Sequence, residues 1–239
     1  MKSFDRVILV DKPAGISSFG VVSRVRRKLT EEKRAAEIAN GVPEENLTKR
    51  IKVGHTGTLD PFATGLLILL SGKWTRRADE FSKLDKVYEA EIVLGATSTT
   101  GDPEGEIVVT ASALAIPSRA EIEQVLKKLK GKITQTPPIY SAIKIGGQRA
   151  YKLARKGETP EMPPRQVEIY SLEILDYNWP ILKIRAHVSS GTYIRTLAED
   201  IGQELKTGAY TKNLRRTRIG EYDVEDATIS FSEEFMVKS

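Results

Sequence analysis

The amino-acid sequence predicts an α+β fold with a mixed, largely antiparallel central sheet flanked by helices and loops. Strand-like segments follow one another along much of the chain, and they alternate with helices too irregularly for a doubly wound fold. The capping box Ser118-Arg119-Ala120-Glu121 opens one clear helix, which Gly131 closes. At 239 residues, the chain can bury a sizeable core, and we expect residues 1–239 to form a single domain.

The N-terminal part begins with a strand and a helix. Arg6 to Val10 predicts a buried strand, and Ser17 or Ser18 can cap the helix that follows. The apolar positions of this helix include Phe19, Val22 and Val25. The stretch at about 30–50 is charged, weakly periodic and interrupted by Gly41-Val42-Pro43. We expect a surface insertion there, in part helical.

Alternation of apolar and polar residues predicts most of the later strands. Val87 to Leu94 alternates, with Tyr88, Ala90, Ile92 and Leu94 on one face. Val167 to Leu175 and Ile181 to Val188 predict a strand pair, and Leu214 to Ile219 predicts a basic strand. Between them, Thr192 is expected to cap a helix.

Composition excludes several classes of site. The chain has no cysteine, so it cannot form disulfides, thiol nucleophiles or thiolate metal sites. The absence of cysteine is compatible with the reducing cytoplasm, where we expect the protein to act. With only two histidines, the chain is not expected to form a histidine-rich metal centre. No apolar stretch reaches 18 residues, so we expect no transmembrane helix and no membrane partner.

Basic residues are grouped along the chain, which has a formal net charge of +5. The groups are Arg24, Arg26, Arg27 and Lys28; Lys49, Arg50 and Lys52; and Lys206, Lys212, Arg215, Arg216 and Arg218. A further segment at about 135–157 mixes aromatic residues with cations. Such groups are typical of surfaces that bind phosphate backbones, and the alternative is an ordinary solvated face.

The octapeptide Gly54-His55-Thr56-Gly57-Thr58-Leu59-Asp60-Pro61 is the richest stretch in chemistry, and the apolar run 65–70 follows it. Its carboxylate, Asp60, has two readings. Pro61 suits the first position of a helix, so Asp60 can be an N-cap. Asp60 can also be a covalent nucleophile held at a cleft, in which case a nearby arginine is needed to keep it ionised.

Ser190-Gly191-Thr192-Tyr193-Ile194-Arg195 offers such an arginine on the first turn of a predicted helix. The alternative for Arg195 is a surface ion pair with Glu199 on the same helix. Tyr88 and Tyr193 can pack in the core or stack on an extruded base. His55 can stack, bind a nucleotide or cap its own loop.

Several motifs then occur in a fixed order from about residue 6 to about residue 225. They are Lys12-Pro13-x-Gly15-x-Ser17-Ser18, GHTGTLDP-x-ATG, Val87-Tyr88-Glu89-Ala90, Ser141-Ala142-Ile143-Lys144, GTYIRTLAEDIG and Leu214-Arg215-Arg216. In this order they resemble the TruB-type tRNA pseudouridine synthases. The resemblance implies a pseudouridine synthase fold with an active-site cleft across the sheet, and isomerisation of a T-loop uridine of tRNA, uridine-55.

The resemblance also implies roles for individual residues. Asp60 is the nucleophile, acting on the ribose or on the base, and Arg195 pairs with it. Tyr88 stacks on the flipped uracil and assists proton removal from C5. The other residues implied to bind substrate are His55, Tyr193 and Leu214. No cofactor and no metal are expected, the partner is tRNA through its T-arm, and the expected state is a monomer.

Two departures from the family pattern stand out. The segment at about 30–50 is longer than usual, and it either adds an RNA contact or is a neutral insertion. The chain ends about twenty residues beyond Leu214-Arg215-Arg216, so we expect a catalytic domain with an RNA-gripping thumb at about 135–157 and no full C-terminal RNA-binding domain. Two other functions remain as alternatives: a noncatalytic RNA-binding module, and an aspartate-nucleophile hydrolase, which generally needs a second carboxylate and often Mg²⁺.

Overall fold

A computed structural model describes residues 3–110 and 116–230 of the protein. The chain divides into two compact units. The first unit combines Met1–Leu84 with Arg216–Ser239, and the second is Asp85–Arg215. The expectation of one catalytic domain over 1–239 stays a prediction, and so does the expected lack of a full C-terminal RNA-binding domain.

The described residues contain the following strands and helices. The strands are β1 (Arg6–Lys12), β2 (Val53–His55), β3 (Thr64–Ser71), β4 (Lys86–Leu94), β5 (Ala96–Ser98), β6 (Ile107–Val109), β7 (Gly131–Gln135), β8 (Lys144–Ile145), β9 (Gln148–Arg149), β10 (Arg165–Asn178), β11 (Ile181–Val188), β12 (Ala209–Ile219), β13 (Tyr222–Asp223) and β14 (Ile229–Ser230). The α-helices are α1 (Ser18–Ala39), α2 (Ala78–Ser82), α3 (Arg119–Lys128), α4 (Ala150–Ala154) and α5 (Ile194–Glu204). Short 3₁₀ helices span Glu44–Asn46, Gly72–Arg77 and Val224–Asp226.

In the first unit, β3 is the buried centre. It pairs antiparallel with β1, from Lys12 opposite Gly65 to Arg6 opposite Ser71, and also with β2. β14 joins β1 in parallel. Successive side chains of β3 enter different clusters: Leu67 and Leu69 pack with β1 and α1, whereas the intervening residues pack with Phe81 and its neighbours. Burial on both faces explains why residues 65–70 read as a continuous apolar run.

In the second unit, strands follow the order β12-β4-β11-β10-β7. The pairs β4–β11, β11–β10 and β10–β7 are all antiparallel. The alternation predicted for β4 is confirmed, because Tyr88, Ala90, Ile92 and Leu94 are buried while Glu89 and Glu91 are partly exposed. The predicted α+β class with a largely antiparallel sheet is confirmed.

Most predicted elements form, including the Ser118 capping box, where the Ser118 hydroxyl accepts from the Glu121 amide and the Glu121 carboxylate accepts in return from the Ser118 amide. Ser17 caps α1, as one of the two alternatives predicted.

Phe19 is 63% exposed, so its expected place on the apolar face of α1 is wrong. Its ring instead lies 5.7 Å from the guanidinium of Arg26, about two turns further along the surface of the helix.

The stretch at about 30–50 is partly helical, as expected. α1 continues through it to Ala39, and the chain then returns by way of Thr48. Thr48 donates to the Glu37 carboxylate from its amide (2.7 Å) and its hydroxyl (2.6 Å). These two bonds lower the pKa of Glu37 and fix the returning segment to the helix. None of the helices in the described part of the chain is long and apolar enough to span a membrane.

Candidate active site

The loop between β2 and β3 carries Asp60. His55 is the last residue of β2, and a bend at Pro61 leads into β3, so the alternative in which Asp60 caps a helix is wrong. The Pro61 carbonyl accepts hydrogen bonds from the Gly15 amide (2.8 Å) and from Lys12 Nζ (3.2 Å). Contacts with residues distant in sequence therefore hold the chain in a bend at a place where local preference favours the start of a helix.

Two buried side chains fix the backbone on either side of Asp60. The Ser18 hydroxyl lies 2.8 Å from both the amide nitrogen and the carbonyl oxygen of Leu59, so it accepts from one and donates to the other. Lys12 is fully buried, and its ammonium also donates to the carbonyls of Pro13 and Ile16. Asp60 itself is partly exposed. The motif at residues 12–18 thus holds the loop while the carboxylate stays accessible.

Arg216 holds the beginning of the same loop. Its guanidinium is 1% exposed and donates to the carbonyls of Leu66 (2.8 Å) and Gly57 (3.1 Å). Gly65 permits this approach: its φ is +102°, and a Cβ there would overlap the backbone of Arg216. The Arg216 of the Leu-Arg-Arg motif is therefore a buried brace of the loop and not part of a solvated basic face.

Arg195 lies in the first turn of α5 in the second unit, as predicted. Its side chain is 3% exposed, so the alternative of a surface ion pair with Glu199 is wrong. The guanidinium donates to the carbonyls of Thr100 and Tyr140, both at 2.8 Å, and forms an ion pair of 3.1 Å with Asp102. These bonds fix the plane of the guanidinium.

Asp102 is a site residue that the sequence did not identify. Its carboxylate is buried, and besides Arg195 it accepts from the Thr100 hydroxyl and the Glu104 amide. Gly101, with φ +71°, brings this loop against α5, where a Cβ would lie 2.6 Å from Glu199 Oε1. In the sequence, Gly-Asp-Pro is only a turn pattern, and the partner of Asp102 lies 93 residues away.

The carboxyl group of Glu199 lies beside this ion pair. Desolvation raises its pKa, Arg195 opposes the rise, and the charges of Asp200 and Asp102 add to it.

The three remaining predicted site residues also belong to the second unit. Tyr88 is buried on β4, opposite Ala186 of β11, and Leu214 is buried on the neighbouring strand β12. Tyr193 precedes α5 and is partly exposed. Thr192 does not cap α5, because its hydroxyl donates to the Ser189 carbonyl (3.0 Å), so that prediction is wrong.

The predicted site residues are thus divided between the units. His55 and Asp60 lie on the first, and Tyr88, Tyr193, Arg195 and Leu214 lie on the second. The pairing of Asp60 with Arg195 stays a prediction. Among residues 3–110 and 116–230, no three His, Asp or Glu side chains are grouped so that they could hold a metal ion.

The segment at 135–157 contains the β8–β9 hairpin followed by α4. Its cations are exposed: Arg149, Lys152, Arg155 and Lys156. At its base, the Tyr140 carbonyl accepts from Arg195, and the Thr136 carbonyl accepts from the Thr196 hydroxyl (3.5 Å). The segment that carries these cations is therefore bonded to the helix that carries Arg195.

Comparison with known proteins gives consistent matches along the chain. Residues 45–194 match the N-terminal domain of the TruB family of pseudouridylate synthases, and residues 195–235 match the C-terminal domain of tRNA pseudouridylate synthase B. The tRNA pseudouridine synthase B of Endomicrobium trichonymphae is 41% identical over 94% of this chain and 89% of its own length. That of Phocaeicola vulgatus is 44% identical, with coverage of 92% and 88%.

Solved structures agree with these matches. The chain resembles one chain of a Cbf5-Nop10-Gar1 complex with a TM-score of 0.64 and 29% identity, covering 95% of this chain and 52% of the other. For an H/ACA RNP bound to a substrate RNA containing 2′-deoxyuridine, the TM-score is 0.61 and the identity 25%, with coverage of 99% and 56%. The chain spans about half the length of these two chains. On the family matches and on more than 40% identity over nearly its whole length, the chain belongs to the TruB family of pseudouridylate synthases.

Proposed function

We propose that the protein isomerises a T-loop uridine of tRNA, uridine-55, to pseudouridine. The observation that carries this proposal is the loop at residues 54–61, where buried side chains fix the backbone while Asp60 remains partly exposed. Relatives over 40% identical are named tRNA pseudouridine synthase B, which indicates tRNA as the substrate. The protein acts as a monomer in the cytoplasm.

The reaction exchanges one glycosidic bond for another. The bond between ribose C1′ and uracil N1 breaks, the uracil rotates, and a bond forms between C1′ and C5. The proton at C5 is lost and N1 gains a proton, so substrate and product have the same composition. No redox cofactor is needed. Asp60 is the nucleophile, acting on the ribose or on the base.

Arg195 keeps Asp60 ionised and oriented in this proposal. A guanidinium favours the charged form of a neighbouring carboxylate. The bonds that Arg195 makes to Asp102 and to two carbonyls support the assignment, because they fix its orientation before substrate arrives. Such a fixed cation needs no reorganisation during the reaction.

The uracil reaches the nucleophile by leaving the RNA stack and entering a cleft. Extrusion of a base costs a few kcal/mol, and stacking on an aromatic ring offsets part of that cost. Tyr88 stacks on the uracil and assists removal of the C5 proton after rotation. Tyr193 and Leu214 line the base pocket, and His55 supports the RNA where the uridine has left the stack.

The segment at 135–157 grips the T-arm. Its exposed cations can each neutralise a phosphate, and its bonds to α5 support a connection between RNA binding and the site. The basic groups at 24–28 and 49–52, which belong to the first unit, are further candidates for phosphate contacts.

The test is conversion of uridine-55 in an unmodified tRNA transcript. Wild type and Asp79→Asn, an exposed aspartate of α2, are expected to form pseudouridine at equal rates. Asp60→Asn is expected to form none, although its shape and its neighbours are preserved. Absence of product with wild type, or normal activity in Asp60→Asn, would contradict the proposal and favour a noncatalytic RNA-binding module.

A further inference from the structure

Tyr193 is held by a buried glutamine. The side-chain amide of Gln135 donates to the Tyr193 carbonyl (3.0 Å) and accepts from the Tyr193 amide (2.8 Å). Gln135 is 1% exposed, so water cannot replace it without opening the structure. The two bonds use one donor and one acceptor, which the side-chain carboxamide supplies from its nitrogen and its oxygen.

The ring of Tyr193 is held separately, by Arg165. The guanidinium carbon lies 5.3 Å from the ring centroid, within the range of a cation–π interaction. Gly191 leaves room for it, since a Cβ there would lie 3.1 Å from Arg165 Nη1. Among the described residues, the guanidinium of Arg165 packs on the ring of Tyr193 and forms no ion pair with a carboxylate.

Gln135 and Arg165 belong together in the sheet. They are directly opposite each other in the antiparallel pairing of β7 with β10. One cross-strand pair therefore supports both the backbone and the ring of Tyr193, which has no side-chain cap of its own at the start of α5. Tyr193 is two residues before Arg195, so the same support fixes the helix start that carries the arginine.

We propose that Gln135 and Arg165 are positioning residues that set the orientation of the Tyr193 ring toward the extruded uracil. The inference rests on the proposed function, because it takes Tyr193 to line the base pocket. Neither residue touches the reacting atoms. Both restrict the conformations of Tyr193 before the base arrives. Without them, Tyr193 would be displaced from its position against the base, and a small displacement far from the bond being broken is enough to slow a reaction.

The experiment compares single-turnover rate constants and tRNA dissociation constants with an unmodified tRNA transcript. Gln135→Ala is expected to lower the rate constant about 10- to 100-fold while the dissociation constant stays within about threefold of wild type. Gln135→Glu is expected to be no better, because a carboxylate accepts from the Tyr193 amide but repels its carbonyl. Gln166→Ala is the matched control: Gln166 is exposed on β10, bonds Thr134 of β7, and is expected to have no effect.

Arg165 is tested for the same mode of action. Arg165→Ala is expected to slow the reaction about tenfold, and Arg165→Lys is expected to stay impaired because an ammonium lacks the planar face that stacks on the ring. In a Tyr193→Ala background, Arg165→Ala is expected to cause no further loss. The salt dependence of tRNA affinity should be unchanged in every one of these variants.

Two results overturn the inference. One is full recovery in Arg165→Lys together with a reduced salt dependence in Arg165→Ala, which would make Arg165 a phosphate contact. The other concerns the rate constant of Gln135→Ala. The inference fails if this rate constant is normal, and it fails equally if thermal unfolding shows that a reduced folded fraction at the assay temperature accounts for the lower rate constant. If wild type itself forms no pseudouridine, the proposed function fails. If wild type is active and the variants are too, only this inference fails.

Discussion

Removal of Asp102 tests the account of how Arg195 is held. In Asp102→Ala, three hydrogen bonds are lost: one from Arg195, one from the Thr100 hydroxyl and one from the Glu104 amide. All three bonds are to the charged carboxylate, and such a bond contributes about 1.5–3 kcal/mol. Because the bonds share one group, their contributions do not simply add. The net loss is therefore taken as the roughly 3–5 kcal/mol that breaking a buried ion pair costs.

The free energy of unfolding of Asp102→Ala is therefore expected to fall by about 3–5 kcal/mol, and Tm is expected to fall by about 10 °C in a chain of this size. Both are measured by thermal and denaturant unfolding, with Asp176→Ala as the control because Asp176 is exposed on β10. The loss comes mainly from a buried guanidinium without its carboxylate. Adding Arg195→Met to Asp102→Ala should then restore part of the stability.

Two outcomes would refute this reasoning. A loss below about 1 kcal/mol in Asp102→Ala would mean that the ion pair is not buried as described. Strictly additive losses in the double variant would mean that the two side chains do not interact, because a coupled pair deviates from additivity.

Other predictions concern the loop, the RNA and metals. Ser18→Ala removes both hydrogen bonds to Leu59. It is expected to lower the single-turnover rate about tenfold with little change in tRNA affinity. The control is Ser23→Ala, which should match wild type because Ser23 is exposed on α1. Equal loss in both variants would contradict the positioning role. Raising salt should weaken tRNA binding steeply, and Lys152→Ala should reduce the slope of log Kd against log salt by about 0.7–0.9. Lys128→Ala removes an exposed ion pair with Glu204 and should leave that slope unchanged. Equal slopes for wild type, Lys152→Ala and Lys128→Ala would indicate that the segment at 135–157 is a solvated face. Pseudouridine formation is expected to persist in EDTA, because no step of the proposed reaction uses a metal, and a loss that Mg²⁺ restores would contradict that expectation.

The sequence predicted the elements whose pattern is local. β4 alternates because one of its faces is buried, and α3 begins at Ser118 because its capping box is complete within four residues. In both cases the residues that make the structure are neighbours in the chain. The order of the motifs was sufficient to identify the family.

The errors concern residues whose partners are distant in sequence. Asp60 followed by Pro61 favours a helix cap, but the Pro61 carbonyl is bound by Lys12 and Gly15 from another part of the fold. Asp102 was overlooked because nothing near it in the sequence indicates an arginine. The role predicted for Tyr193 stays a prediction, and its support by Gln135 could not be foreseen because the two residues are 58 positions apart in the sequence.

The same distinction applies to burial. The Leu214-Arg215-Arg216 run reads as part of a basic surface, yet Arg216 is buried and braces the loop through the Gly57 carbonyl. Its burial requires the small volume at Gly65, on a strand about 150 residues earlier. Charge in the sequence left a phosphate-binding surface and a solvated face as alternatives, and it could not separate the cations that face solvent from those that hold the loop.

The most direct test of the central claim is the single-turnover rate of pseudouridine formation at position 55, with enzyme in excess over a defined tRNA transcript. When the enzyme concentration is also well above Kd, a difference in rate reports the steps after tRNA binding and not the affinity for tRNA. We expect wild type to convert the transcript, a transcript with cytidine at position 55 to remain unmodified, and Asp60→Asn to bind tRNA normally and form no product. Conversion by Asp60→Asn at the wild-type rate would contradict the assignment of Asp60 as the nucleophile.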